Sequence, residues 1–211
     1  MPLLDLSTDT LMAMAAGALL VFWAVGAHNR LVRLKHAVAK AYEQVDAQLQ
    51  QRQELLARWL AGAGGLDEAH ATELSEASRL MQSALDQARQ RPATVAPALA
   101  LQAAEHRVDA ELAALWQSPD LQQLVPADAE LRQLVLDLVQ LESRLELMAE
   151  PYNQAVQAFN EAAQEFPAWL MAQLAGFKPL PGLVLGQRGA AREVARPLML
   201  GRRESDPPPP I

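Results

Sequence analysis

The sequence predicts an all-α protein: an apolar N-terminal helix followed by an antiparallel, up-and-down bundle of four long helices. Three observations carry this. Half of the 211 residues are hydrophobic but only 5% are aromatic, with Ala, Leu, Gln, Glu and Arg abundant; these side chains lose little freedom on a helix. β-branched residues are sparse and do not alternate, so no strand is expected. Apolar residues instead recur three and four apart over most of the chain.

The first element is Thr10–Ala27, eighteen residues without a charge. As a helix it spans roughly 27 Å, slightly short of a hydrocarbon core of about 30 Å, a gap that the stem of Arg30 can bridge by snorkelling. Leu11, Leu19, Leu20, Val21, Phe22, Trp23 and Val25 are its bulky apolar members. Three readings compete: a transmembrane anchor, a cleaved signal peptide and a buried core helix. Asp5 and Asp9 precede the segment and no Lys or Arg does, the reverse of a basic signal-peptide leader. A core helix would show a polar edge, and none is present. The anchor is preferred. Arg30, Arg33, Lys35 and Lys40 follow it, so the positive-inside rule puts the N-terminus outside and the body in the cytoplasm. Ala13 and Gly17 form a small-xxx-small pair, a weak signal in so Ala-rich a segment.

From His28 the pattern continues unbroken to Gly62 through Leu31, Leu34, Val38, Tyr42, Val45, Leu49, Leu56, Trp59 and Leu60. Anchor and first bundle helix therefore read as one rod, ended by the glycines of 62–65. Asp67 is the expected N-cap of a second helix with Leu74, Leu80, Met81, Leu85 and Ala88 inward. A third, over Pro97–Gln117, carries Leu101, Val108, Leu112 and Leu115, and Ser118-Pro119-Asp120 is a turn or a new N-cap. The fourth starts at Pro126-Ala-Asp128. It carries a heptad-like seam of Leu131, Leu134, Leu138, Leu141, Leu145, Met148, Tyr152, Ala155, Phe159, Ala162 and Phe166. Pro151 lies inside it and should kink it. A three-helix arrangement, with the second and third patterns forming one broken helix, is the rival architecture. The expected domains are thus a short tail over 1–9, the anchor over 10–27, the bundle over 28–175 and a Pro-, Gly- and Arg-rich disordered tail over 176–211. Pro207–Pro210 could be read by a polyproline-binding module, but a solvated terminus is the simpler reading.

The chemistry is sparse. The absence of Cys removes disulfides, thiolate zinc sites and Cys nucleophiles. A net charge of −7 argues against nucleic acid, whose phosphates select clustered Lys and Arg. The charge is uneven: six basic residues oppose three acidic ones after Ala175, so the remainder carries −10. His28, His36, His70 and His106 are scattered. Asp67-x-x-His70 is an isolated couple, and there is no HExxH pair, phosphate-binding glycine loop or nucleophile elbow. No catalytic, metal or cofactor residue is assigned, and an enzyme is not expected.

Three polar features remain. Arg52 falls where the first stripe demands an apolar residue; it either snorkels to the bundle edge or is buried against a carboxylate. Asn153 and Asn160 lie seven apart beside the final seam, which suggests interhelical hydrogen bonds, with a ligand-binding stripe as the alternative. The aromatic stretch Phe166–Phe177, ahead of a basic tail, either rests at a membrane interface or caps the bundle core.

The block NRLVRLKHAVAKAYEQVDAQLQQRQELL after the apolar segment, with YNQAVQAFNEAAQEFPAWLMAQLAGFKP near the end, resembles the bacterial LemA family over about residues 10 to 180. The resemblance implies a single-span inner-membrane protein with its amino end outside and an antiparallel helical bundle in the cytoplasm, and it brings no catalytic residues. The matching positions are Asn29, Leu31, Val32, Asp46, Gln48, Leu49 and Arg52 in the first block. In the second they are Tyr152, Asn153, Val156, Asn160, Phe166, Pro167, Gly176, Phe177, Lys178 and Pro179. His28 stands where Tyr is common, Glu54-Leu-Leu-Ala-Arg58 replaces the usual Asp-Leu-Ile-Pro-Asn, and Pro151 interrupts a run that is typically basic and helical. The expected partners are membrane lipid and another protein, with a homo-oligomer left open. The functional expectation is a membrane-tethered interaction or scaffold module. The alternative is a small-molecule sensor or enzyme built on Arg52, Asn153 and Asn160.

Overall fold

The structure is a computed structural model that describes residues 8–62, 67–166 and 168–184. Over these residues the chain is all-α, with six helices and no strand.

α1 (Thr8–Gly62) is one uninterrupted helix of 55 residues, about 82 Å long at 1.5 Å per residue. It contains no proline, and the stripe read from the sequence supplies its buried apolar residues from Leu31 to Trp59, with Leu34 and Leu60 half-buried. Its N-terminal part contains a window of 18 residues long and apolar enough to cross a membrane, none of it buried. The glycine stop at 63–65 lies outside the described residues.

α2 (Glu68–Gln90) and α3 (Val95–Trp116) form a hairpin, tied across its open end by Arg107 and Glu73, whose atoms approach to 2.5 Å. Asp67 does occupy the N-cap of α2, but its side chain makes no capping bond; it meets His70 instead, at 3.3 Å. Leu80, expected inward, is exposed. Two separate helices exclude the broken-helix rival.

Ser118 is an N-cap rather than a plain turn. Its hydroxyl accepts a hydrogen bond from the Leu121 amide at 3.2 Å, and it opens α4 (Pro119–Ala127), a nine-residue helix absent from the four-helix expectation. Asp128 caps α5 (Ala129–Gln164), accepting from the amides of Glu130 at 2.8 Å and Leu131 at 3.2 Å. α5 runs on through Pro151. The carbonyl that loses its donor there belongs to Leu147, and both residues face solvent, where water can satisfy it. α6 (Ala168–Leu174) is a second unexpected short helix.

Of the long helices, α1 packs most extensively with α5 and α2 with α3, each pair antiparallel. α1 and α5 run side by side: Arg30 pairs with Glu165 at 3.1 Å, and the rings of Tyr42 and Tyr152 meet edge-on at 6.2 Å. Two heptad stripes of α5 face inward, the predicted seam, with Leu131, Met148 and Ala155 half-buried, and a second through Val135, Val139, Glu142, Ala149, Val156 and Ala163, because this helix is covered on several sides. Phe166, expected to end the seam, lies beyond the helix and is exposed. The α2–α3 hairpin lies against the half of α1 distal to the apolar window. Arg89 of α2 reaches Asp46 at 2.9 Å, and Trp116 stacks on Trp59 with ring centroids 5.2 Å apart. Nearer the apolar window, Leu31 and Leu34 of α1 pack with Ala162 and Ala163 at the end of α5, Ala172 of α6 and Phe177, while the window itself stays uncovered.

The disordered tail expected from 176 onward does not begin there. Residues 177–184 are extended and docked, with Leu180 and Leu183 buried in the core. Residues 185–211, with Pro207–Pro210, lie outside the described residues, as do residues 1–7.

Candidate functional site

The polar positions singled out from the sequence fall into three places on the bundle. The first is the core between α1 and α3. Arg52 is fully buried, so the snorkelling reading fails. Its two terminal nitrogens hold Glu105 in a bidentate pair, the Nη1–Oε1 bond being 2.9 Å, and Nη1 lies 3.5 Å from Asp109. Glu142 of α5 is buried beside them and adds to the field on Arg52. Burial alone would make the guanidinium easier to deprotonate, but Glu105, then Asp109, outweigh this and raise its pKa. A charged pair sealed in this way links α1 to α3, and desolvation offsets much of its attraction. Gln53 is buried next to Arg52.

The partners of Arg52 were not predicted, although a signal existed. Glu105 stands four residues after Leu101 and three before Val108, inside the apolar stripe of its helix. Glu142 sits in the second stripe of α5 in the same way.

The second place is the α1–α2 contact around Asp46. Its carboxylate accepts from Arg89 Nε at 2.9 and 3.0 Å, from Gln50 at 3.2 Å and from the Tyr42 hydroxyl at 3.4 Å. Burial, and next the charge of Asp46, push the Tyr42 phenol well above its ordinary range; burial also raises Tyr152. Gln48 is half-buried on the same stretch, and Asn29 is exposed, far from both.

The third place brings together most of the second sequence block. Asn153 and Asn160 do not bond another helix. Each grips one backbone unit of the extended segment through both of its amide atoms. Asn160 donates to the Leu180 carbonyl and accepts from the Leu180 amide, both at 2.8 Å. Asn153 does the same with Leu183 at 3.0 and 2.8 Å. The spacing explains itself. Seven residues of α-helix advance about 10.5 Å, and three residues of extended chain advance roughly 9–10 Å, so the two amides meet positions three apart. Pro179 and Pro181, which have no N–H to offer, alternate with the gripped units and favour the extended form. Gly182 passes close to the clamp: a Cβ there would lie 3.0 Å from Asn153 Oδ1, and the amide would have to shift to admit it. A shallow groove of about 330 Å³ runs beside the clamp, between Gln157, Glu161 and Gln164 of α5 and residues 182–184.

Gly176 and Phe177 aim the segment. Gly176 has φ +71°, the left-handed conformation that ends helices cheaply only at glycine. The Phe177 amide donates back to Ala172 at 2.8 Å and the Gly176 amide to Gln173 at 3.3 Å, the paired bonds of a Schellman stop. The reversal lays Phe177 against Phe159 at 6.1 Å and His28 at 5.8 Å, with the Lys35 ammonium 5.9 Å from its ring centre. Arg33, Lys40 and Phe166 are exposed; Pro167 lies outside the described residues.

The features that hold this corner together, from Tyr152 through the two asparagines to Gly176-Phe177 and the docked segment, fall within the stretch that the LemA family profile matches, residues 41–195. The match covers more than half of the chain. The chain belongs to the LemA family. No curated protein compared with it matches. Within this LemA chain Arg52 and Asp46 join helices through ion pairs, and the asparagines, Gly176 and Phe177 hold the C-terminal segment. Among the described residues, no group of three side chains suited to a metal ion occurs.

Proposed function

We propose that this LemA-family protein is a single-pass inner-membrane protein whose helical body stands in the cytoplasm and binds another protein there as a non-enzymatic scaffold or interaction module. The observation that carries the reading is α1. Its exposed apolar window continues without a break into the residues that are buried in the bundle, so a membrane anchor and the body would move as one piece. Leu11, Leu19, Leu20, Val21, Phe22 and Val25 are uncovered there, and Trp23 is half-covered, as a lipid-facing helix requires. Arg30, Arg33, Lys35 and Lys40 just after the window support that orientation by the positive-inside rule.

The groups on which a sensor or enzyme would rest are engaged with the protein itself. Arg52 is sealed against Glu105, and Asn153 and Asn160 hold the chain's own segment. This favours the interaction reading over the alternative. The test is twofold. A C-terminal reporter that is active in the cytoplasm supports the orientation, and one active only outside overturns it. Crosslinking of the intact protein in mild detergent should trap a reproducible neighbour; substituting Arg52, Asn153 or Asn160 should then alter stability before it alters that capture.

A further inference from the structure

We infer that α6 is a foot that lies in the membrane interface beside the anchor, its outer face in contact with the lipid headgroup and upper acyl region. This rests on the membrane reading of α1 just given.

The first observation is that α6 is inside-out by the standard of a bundle helix. Its inward positions are Ala168 and Ala172, both buried, while Trp169, Leu170 and Leu174 are 38, 42 and 74% exposed, and Phe166 just before it is 80% exposed. Within the helix, Trp169, Leu170 and Leu174 lie on the side away from Ala168 and Ala172. Small residues inward let the helix lie close to α1 and α5; large apolar residues outward face away from the body. Elsewhere on the body, exposed large apolar residues such as Leu80, Leu99 and Leu147 are scattered singly, which is ordinary for a soluble surface.

The second observation is level. Arg30, three residues beyond the apolar window's end at Ala27, pairs with Glu165, so α5 ends and α6 begins where the anchor would leave the hydrocarbon. Within residues 8–30 the half-buried positions are Trp23, Ala24, Ala27 and His28. They form one face that continues into Leu31, which packs with Ala172 of α6. The foot therefore lies alongside the last turns of the span.

The third observation is charge. Arg33, two residues beyond Leu31 on α1, and Lys178, four residues after the end of α6, are exposed, and the Lys35 ammonium lies 5.9 Å from the Phe177 ring centre. An aromatic and aliphatic face rimmed by Lys and Arg suits an anionic lipid surface, where the rings settle at headgroup depth and the cations meet phosphate.

The chain has no cysteine, so single-cysteine labelling is clean. Phe22→Cys, Leu170→Cys and Leu147→Cys each place an environment-sensitive fluorophore on an exposed position of the full-length chain. The last lies about 27 Å along α5 from Glu165. In vesicles of phosphatidylcholine with a minority of phosphatidylglycerol, lipid-borne nitroxides should quench the label at 22 most when deep, and the label at 170 most when shallow. Quenching at 170 should exceed that at 147 several-fold, with the reverse order for aqueous iodide. A label at 170 that behaves like the one at 147 while 22 is quenched overturns the foot and leaves the anchor standing. A label at 22 that no lipid nitroxide quenches overturns both. A label at 170 that neither lipid nitroxide nor iodide reaches until the protein is diluted with lipid reveals contact with a second copy rather than with lipid, and also overturns it.

Discussion

Replacing Asn160 with Ala should release the C-terminal segment without unfolding the bundle. The change removes two hydrogen bonds of 2.8 Å, one to each backbone polar atom of Leu180. At roughly 0.5–1.5 kcal/mol net for each, the loss is about 1–3 kcal/mol, which multiplies the undocked population by about 5- to 150-fold. The segment's remaining ties are Leu180, Leu183 and the Asn153 pair. Because both amides hold one short piece of chain, opening should be cooperative: the amides of Leu180 and Leu183 should both exchange faster, while those of the α2–α3 hairpin keep their rates. Hydrogen exchange on the full-length chain in detergent, followed by mass spectrometry, reads both regions at once. Asn160→Asp keeps the acceptor for the Leu180 amide and loses only the donor, so its effect should be intermediate. Unchanged exchange at Leu180 would refute the clamp. Faster exchange at Leu180 alone would refute the coupling, and a matching rise across the hairpin would show that the asparagine supports the whole fold instead.

Two further outcomes follow from the buried polar groups. Arg52→Met leaves the Glu105 carboxylate in the core without its cation, and urea unfolding should show a loss of about 3–5 kcal/mol; a loss under about 1 kcal/mol would mean that Glu105 reaches water. The only two tyrosines, Tyr42 and Tyr152, have folded pKa values raised above the ordinary value. Their stabilising effect is therefore complete below an unfolded pKa of about 10 and is lost as pH climbs from there toward the folded values. Phenolate absorbance should appear together with the loss of helical circular dichroism, and a separate titration near pH 10 with the helices intact would refute their burial.

The long helices were legible because each carries a stripe of large apolar residues over many turns, and Tyr152, Phe159 and the leucines of α5 could hardly pack otherwise. The short ones were not. α4 is nine residues with a proline at each end of its run, too brief for a period to be seen, and α6 hides because its apolar residues face outward. The docked segment was misread for a different reason. Pro179, Pro181 and Gly182 have the composition of a solvated tail, and the same residues are what a chain gripped by its backbone requires: extended, with few side chains in the way. What distinguishes the two cases is the pair of asparagines on another part of the chain, and their repeat of seven was visible while their object was not. The Arg52 cluster was half-legible, since a charge inside a stripe announced itself once on α1 and was overlooked on α3 and α5.

A helix of 55 residues without a proline also has a mechanical meaning. With one end held in a bilayer, it is a lever whose free arm from Arg30 to Trp59 measures about 44 Å. A change in tilt of about 10°, well within the range that membranes of different thickness impose, would swing the Trp59 end sideways by roughly 8 Å. A side helix braced on the same surface would act as an outrigger against that swing. Bilayer thickness would thereby be converted into the position of the tryptophan-stacked tip, where a cytoplasmic neighbour would feel it.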